Sequence, residues 1–311
     1  MTDPRRDPST DGLSATPLLL CLGLGYSAER LATRLSARGF RIAGTARSDE
    51  GAARLRAKGR DGLVLDGQRR SPGLAAAIQA ATHVLISAGP GPDGDPILAA
   101  TGAELQRAPR LAWIGYLSTI GVYGHHAGGW VDETTPPAGA GNRARPRLDA
   151  ENQWLAFGAA RQTRVEVFRL PGIYGPGRSQ IDQMRAGTAK RIVKPGHVFN
   201  RIHVDDIAAA LEAAILGPPR YAVYNLTDDE PAAADEVVTF AAELLGMPPP
   251  PAVPFPEARL SPMAASFYEE TRRVSNRRMK EALGVQLLYP TYREGLAAIA
   301  AGLKGAKSAS T

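Results

Sequence analysis

Short apolar runs alternate with longer amphipathic stretches along the chain from Leu18 onwards. Turn-forming residues bound each run, as is typical of buried strands, and the stretches between the runs have apolar residues at helical spacing. In the first helix, Ala28, Leu31 and Leu35 lie on one face, and Gly39 is expected to end it. Strict alternation of strand and helix predicts an α/β protein with a doubly wound parallel sheet and helices on both faces. The predicted strands lie within LLLCLGLG, FRIAGTA, GLVLD, THVLISAG, LAWIGYLST, VEVFRLPGI and YAVYNLTDD.

The alternation of predicted strands and helices ends after YGPGRS, residues 174–179, which indicates a second, smaller lobe. Residues 247–263 are rich in proline, which cannot pair inside a central strand, so an extended surface segment is expected there. We predict a main domain of residues 17–175 and about 200–246, and a smaller C-terminal lobe of about 176–199 and 247–300. The polar ends, residues 1–16 and 301–311, are predicted to be a disordered tail and a flexible tail.

Composition narrows the class of protein. The 311 residues are 44% hydrophobic and 22% charged, which is typical of a globular protein. Although the net charge is +6, the basic residues are spread along the chain without a dense run among aromatics, so no nucleic-acid partner is predicted. No apolar run approaches the roughly 20 residues needed to cross a bilayer, so no membrane partner is predicted. Cys21 is the only cysteine, which excludes an internal disulfide framework and a cysteine-built zinc site. We predict a cytoplasmic protein without a metal.

The stretch LGLGYSAERL, residues 22–31, is typical of a phosphate-binding loop between a strand and a helix. Gly23 permits the tight turn, and Gly25 lets the backbone approach a pyrophosphate. Ala28 keeps the helix close to the sheet, and Tyr26 and Ser27 stand in the first helical turn, whose N–H groups are free to bind phosphate. The loop therefore predicts a dinucleotide site.

The end of the second strand indicates which dinucleotide binds. An NAD-selective site usually has an acidic residue there, but this chain reads GTARSDE. Arg47, with Thr45 and Ser48, can hold a 2′-phosphate, so NADP(H) is the preferred cofactor and NAD(H) the alternative; a surface role for Arg47 stays open. Asp66 closes the third strand and is expected to meet the adenine amino group. The segment ISAGP follows the fourth strand at the edge where a dinucleotide passes, and adds Ser87, Ala88 and Gly89 to the predicted cofactor-binding residues.

Three ordered motifs carry a family resemblance: LSTIGVYG at 117–124, FRLPGIYGPGRS at 168–179 and RIHVDDIAAAL at 201–211. They resemble the extended short-chain dehydrogenase/reductase superfamily, of the NAD-dependent epimerase/dehydratase type, over about residues 18–300. The resemblance implies that the main domain is a Rossmann domain with a bound nicotinamide dinucleotide. It also implies that the smaller lobe binds a small-molecule substrate, and frequently that the chain forms a homodimer.

By position, Thr119 matches the Ser or Thr that hydrogen-bonds the substrate oxygen in this superfamily, with its neighbour Ser118 as the alternative. Pro171, Gly172 and Ile173 match the loop whose backbone faces the nicotinamide. These assignments come from the resemblance and imply one cleft at the carboxyl edge of the sheet.

The chain departs from the family at the Tyr-x-x-x-Lys pair, since no tyrosine occurs between Tyr123 and Tyr174. The best match for the two positions is Arg147-x-x-x-Glu151 in RPRLDAENQW. Arginine stays protonated, so Arg147 can bind an anionic group or stabilise a developing alkoxide but cannot act as the acid. Glu151 either accepts hydrogen bonds from ribose hydroxyls or forms a salt bridge with Arg147 on the helix surface. In these features the chain resembles the atypical branch that lacks the pair.

Three replacements for the missing acid are available: His125 or His126 in YGHHAGG, Tyr268, or a bound water. The sequence favours an NAD(P)-binding oxidoreductase or epimerase-like enzyme with a non-standard active site. Its substrate would be a small polar metabolite or a sugar-nucleotide-like molecule. The alternative is a catalytically inactive NADP(H)-binding sensor or scaffold protein.

Overall fold

The computed structural model describes residues 16–67, 69–91, 94–138 and 144–308. In chain order, the strands in these ranges are β1 Leu18–Leu22, β2 Arg41–Ala46, β3 Asp61–Val64, β4 His83–Ile86, β5 Trp113–Thr119, β6 Trp130–Val131, β7 Arg164–Leu170, β8 Gly172–Tyr174, β9 Arg191–Val193, β10 Arg201–His203, β11 Val223–Asn225, β12 Ala252–Pro254 and β13 Arg273–Val274.

The α-helices of the same ranges connect these strands or form the smaller lobe. They are α1 Tyr26–Ala37, α2 Asp49–Ala57, α3 Leu74–Ala80, α4 Pro96–Arg107, α5 Ala144–Arg161, α6 Gln180–Arg185, α7 Val204–Leu216, α8 Ala234–Leu245, α9 Pro262–Ser266, α10 Arg277–Leu283 and α11 Tyr292–Ser308.

Among the described residues, seven strands form one sheet in the order β11-β7-β5-β4-β1-β2-β3. Every pairing in this sheet is parallel, which confirms the predicted doubly wound α/β architecture. The strand order reverses between β1 and β4. In open parallel sheets, ligands bind beyond the carboxyl ends of the strands at such a reversal.

Strand β1 lies at the centre of the sheet, and all five of its residues are buried. Because successive side chains of a strand point to opposite faces, Leu18, Leu20 and Leu22 pack with the cluster that includes residues of α3, α4 and α5. Leu19 and Cys21 pack instead with residues of α1 and α7. Both faces of the sheet are therefore covered, which explains the nearly continuous apolar runs of its strands.

The smaller lobe has its own apolar cluster, built from residues of α6, α8 and α11. The sequence assigned residues up to about 246 to the main domain, but α8 packs with this lobe. Helix α11 reaches Ser308 and so extends into the segment predicted as a flexible tail. Of the predicted N-terminal tail, only Thr16 falls within the described residues.

Candidate cofactor and active site

The glycine loop after β1 is held by both neighbouring strands. Gly23 has φ +94°, in the left-handed region, and a Cβ there would lie 3.1 Å from Ser87 Oγ and 3.2 Å from the Ala88 nitrogen. The Gly23 N–H donates to Thr45 Oγ1 at 2.8 Å, and the Ser87 hydroxyl donates to the Gly23 carbonyl oxygen. Thr45 is 3% exposed, so in this structure its hydroxyl fixes the loop.

Helix α1 presents an open N-terminus to this loop. Gly25 precedes the helix with extended backbone, and no side chain caps it. The N–H groups of Tyr26, Ser27 and Ala28 have no acceptor within a helix of this geometry, and they carry the positive end of its dipole. No protein atom lies within 4 Å of the position that a Gly25 Cβ would occupy. The space and the free donors fit a pyrophosphate.

Beyond β2 lies an exposed arginine. Arg47 forms no hydrogen bond or ion pair with another residue in the described part of the chain. Next to it, Ser48 caps α2 by accepting the Gly51 N–H at 3.1 Å. Asp66, beyond β3, accepts the Arg69 N–H at 2.6 Å and pairs with the Arg69 guanidinium at 3.1 Å. Arg47 is therefore a cation available at the edge where the cofactor is expected.

The two hydroxyls at the end of β5 have different surroundings. Thr119 is half-exposed and caps the 3₁₀ turn of residues 120–123, because its Oγ1 accepts the Gly121 N–H at 3.1 Å. Its own proton remains available to a substrate oxygen. Ser118 is 5% exposed and donates its proton to Glu151 Oε1 at 2.5 Å. Thr119 is thus the partly exposed hydroxyl of the two, whereas Ser118 is buried.

Glu151 lies in a buried ion pair. Its carboxylate, on a residue that is 1% exposed, accepts the Arg169 Nη2–H at 2.7 Å. The Arg169 guanidinium lies 4.9 Å from the centre of the Tyr123 ring, and the Tyr123 hydroxyl donates to Asn225 Oδ1 at 2.9 Å. Burial raises the pKa of Tyr123, although the Arg169 charge opposes this shift. Among the described residues, Arg169 is the ion-pair partner of Glu151. The sequence predicted that Glu151 binds either ribose hydroxyls or Arg147, and neither alternative included Arg169.

Arg147 extends from α5 to the carboxyl edge of the sheet. Its Nη1 donates to the Leu117 carbonyl oxygen at 3.1 Å and to the Tyr116 hydroxyl at 3.3 Å. A Cβ on Gly89 would lie 2.8 Å from Arg147 Nη2, so the end of the Arg147 side chain would have to shift to admit a larger residue there. Burial raises the pKa of Tyr116 to about 12, with a smaller opposing effect from Arg147, so this phenol stays protonated. The guanidinium lies beside the segment after β4 that is predicted to face the cofactor.

His125, His126 and Tyr268, the side chains predicted as substitutes for the missing acid, each contact different residues. His125 is exposed and accepts the Thr271 N–H at 3.2 Å, and His126 donates to the Tyr123 carbonyl oxygen at 3.0 Å. The Tyr268 ring stacks on Phe255 at 4.9 Å. None of the contacts described for these side chains reaches Thr119.

Arg169 and the contact between Tyr26 and residues 175–178 were missed by the sequence reasoning. A signal for Arg169 was present, since a charged residue inside the apolar run VEVFRLPGI needs a buried partner. No pattern in the sequence identifies that partner.

The described residues contain no helix that is both long and apolar enough to cross a bilayer. In the same ranges, no three His, Cys, Asp or Glu side chains are grouped so that they could hold a metal ion.

Two curated relatives resemble the chain in sequence. Protein YeeZ from Escherichia coli K12 is 29% identical over 240 residues, which span 74% of this chain and 84% of YeeZ. A 3-diazoavenalumate denitrifying reductase from a Streptomyces species is 32% identical over 143 residues, which span 42% of this chain and 45% of the reductase. No family model matches the chain.

Solved structures match nearly the whole chain. A conserved protein of unknown function from Silicibacter pomeroyi is 47% identical, has a TM-score of 0.83, and is matched over 93% of this chain and 100% of its own. A protein provisionally assigned as an NAD-dependent epimerase/dehydratase from Methylobacillus flagellatus is 25% identical, with a TM-score of 0.69 and coverage of 94% and 100%. The UDP-glucose 4-epimerase of Thermus thermophilus in complex with NAD is 20% identical, with a TM-score of 0.70 and coverage of 94% and 100%, and shares the fold.

A parallel sheet with a glycine loop at the N-terminus of its first helix is the arrangement typical of dinucleotide-binding proteins. Solved structures of the NAD-dependent epimerase/dehydratase type share the fold of this chain.

Proposed function

We propose that this protein is an NADP(H)-dependent oxidoreductase of a small polar or anionic metabolite and that it works without the family's tyrosine acid. The observation that carries the proposal is the open N-terminus of α1 at Gly25, together with Arg47 beyond β2, which has no ion-pair partner among the described residues. The similarity to a reductase supports oxidoreduction among the reactions of the family.

A nicotinamide dinucleotide, when bound, supplies or accepts the hydride. The residues of this chain perform the remaining tasks. The N–H groups at the start of α1 bind the pyrophosphate, Arg47 and Ser48 bind the 2′-phosphate, and Thr119 donates a hydrogen bond to the substrate oxygen. Arg147 binds an anionic oxygen but keeps its protons, so the proton comes from another side chain or from water.

The preference for NADP(H) is tested at Arg47. Replacing it by alanine removes a charge-assisted contact worth about 1.5–3 kcal/mol, which corresponds to a loss of roughly 10- to 100-fold in NADPH affinity. Titration calorimetry is expected to show this loss for R47A with NADPH and no change with NADH. The matched control is R54A, another exposed arginine, in the last turn of α2. NADPH binding to R47A with the wild-type Kd would contradict the assignment.

The role of Thr119 is tested by removing its hydroxyl. T119V keeps the branched shape, and T119S keeps the hydroxyl that also caps the 3₁₀ turn. With sugar nucleotides, aldehydes and ketones as substrates, we expect kcat/KM to fall by at least about tenfold in T119V, as for loss of one hydrogen bond to the reacting oxygen. T119S should retain most activity, and both variants should bind NADPH normally. Equal turnover by wild type and T119V would refute the role.

One observation favours a second candidate function, a cofactor-binding sensor or scaffold without turnover. Helix α5 contains neither tyrosine nor lysine, and its Glu151 is engaged in the buried ion pair. This candidate predicts normal NADPH binding together with no change in nicotinamide absorbance for any substrate in the panel. Substrate-dependent oxidation of NADPH that T119V abolishes would exclude it.

A further inference from the structure

The turn of residues 175–178, which follows β8, lies against the first residue of α1. The Gly175 N–H donates to the Arg178 carbonyl oxygen at 3.1 Å, and the Arg178 N–H donates to the Gly175 carbonyl oxygen at 3.0 Å. The Tyr26 hydroxyl donates to the Pro176 carbonyl oxygen at 3.1 Å. A residue beside the phosphate-binding loop thus holds a turn that leads into the smaller lobe.

The approach of the turn to α1 is close and leaves no room for a side chain at position 175. A Cβ on Gly175 would lie 2.5 Å from the Tyr26 hydroxyl oxygen and 2.7 Å from Val204 Cγ1. Burial raises the pKa of Tyr26, so its hydroxyl keeps the proton that it donates to the turn. The position of the turn relative to α1 is therefore fixed by packing and by a hydrogen bond.

This arrangement places a cation over the ring of Tyr26, the first residue of α1. The Arg178 guanidinium carbon lies 5.8 Å from the centre of the Tyr26 ring, and the side chain is exposed. Within the described ranges, no carboxylate forms an ion pair with Arg178. The nearby Asp182 accepts a hydrogen bond from Ser179 at 2.5 Å.

We propose that Arg178 is a further cofactor-binding residue, whose guanidinium faces the pyrophosphate held by the N–H groups of α1. Tyr26 positions it through the turn. Because a guanidinium forms charge-assisted hydrogen bonds with phosphate oxygens, binding of the dinucleotide would neutralise the unpaired cation. The inference rests on the proposed dinucleotide site and adds to it a residue from the turn that enters the smaller lobe.

Ligands that share only part of the dinucleotide separate the two arginines. ADP-ribose carries the pyrophosphate without a 2′-phosphate, and 2′-AMP carries the 2′-phosphate without the pyrophosphate. For R178A we expect Kd to rise at least about tenfold for NADPH and ADP-ribose, with no change for 2′-AMP, whereas R47A should weaken 2′-AMP and leave ADP-ribose unchanged. R178K should regain part of the affinity, and Y26F should lose less than R178A.

The control is R185A, which removes another exposed arginine, at the end of α6. Wild-type affinity of R178A for ADP-ribose, with normal binding by the wild type, would overturn the role of Arg178 alone. If the wild type binds neither NADPH nor ADP-ribose, the proposed function fails and the inference fails with it. The two failures are therefore distinguishable.

Discussion

Glu151 and Arg169 form a buried ion pair between α5 and β7. The family resemblance implies a lysine where this chain has Glu151. In the structure, the Glu151 carboxylate accepts hydrogen bonds from Arg169 and Ser118. Charges lose hydration on burial, so each partner is tolerated because the other is present. The pair joins α5 to β7, and the bond from Ser118 adds β5. Helix α5, which by the resemblance would carry the proton donor, is attached to the sheet by a buried ion pair.

Breaking this pair should be costly. Changing Glu151 to glutamine leaves the Arg169 charge buried without its counter-ion, which lowers the free energy of unfolding by about 3–5 kcal/mol. The matched control is D149N on the same helix, because Asp149 pairs with Arg145 at the surface, where side-chain exposures are 47% and 71%. The control should cost less than about 1 kcal/mol. Urea unfolding measures both changes, and equal losses would refute the structural role of the pair.

Helix α7 depends on a histidine cap. His203 Nδ1 accepts the Asp205 N–H at 3.2 Å, so the ring must be neutral at that nitrogen. The ring packs against Tyr289 at 4.0 Å and Tyr174 at 5.2 Å. Burial lowers the pKa of His203 to about 4, although the Asp205 carboxylate opposes the shift. Since α7 packs against α1, this cap supports the helix whose N-terminus is proposed to bind the pyrophosphate.

Acid should therefore weaken the protein through this cap. Between about pH 6.5 and pH 4 the unfolded chain binds a proton on His203 that the folded chain does not, so the free energy of unfolding falls as the pH falls. H203N keeps a capping oxygen without titrating, and its Tm should fall less between pH 7 and pH 5 than that of the wild type. Asp206, whose pKa is raised to about 6 by burial, contributes the opposite slope in both proteins. H125N, at an exposed histidine, is the control, and an unchanged slope in H203N would contradict the prediction.

At the scale of the molecule, the sequence predicted the parts that local pattern encodes. The strand runs, the α/β class and the glycine loop follow from periodicities of a few residues, and the structure confirms the parallel sheet. The packing of α8 with the smaller lobe could not be predicted from local pattern. An apolar face indicates that a helix is buried, but it does not identify the element against which the helix packs.

The contacts that complete the candidate site join distant parts of the chain. Glu151 meets Arg169 across a helix and a strand, and Tyr26 meets Pro176 from 150 positions away. Such pairs form only when helices and strands pack against each other in the folded protein. The spacing of residues in a single sequence does not specify that packing. The family resemblance predicted a substrate-binding role for Thr119 and identified the helix of Arg147 as part of the site. It did not predict the buried partner of Glu151.

The central claim is that a nicotinamide dinucleotide binds at the start of α1, and Gly25 tests it most directly. Its backbone is extended, and no protein atom lies within 4 Å of where its Cβ would be. G25V should therefore fold with an unchanged Tm, while its side chain fills the space that the pyrophosphate needs. Calorimetric titration with NADPH is expected to show binding to the wild type and a loss of at least about 100-fold in G25V, equivalent to about 2.7 kcal/mol. Equal NADPH affinity in both proteins, or no binding by the wild type, would contradict the claim.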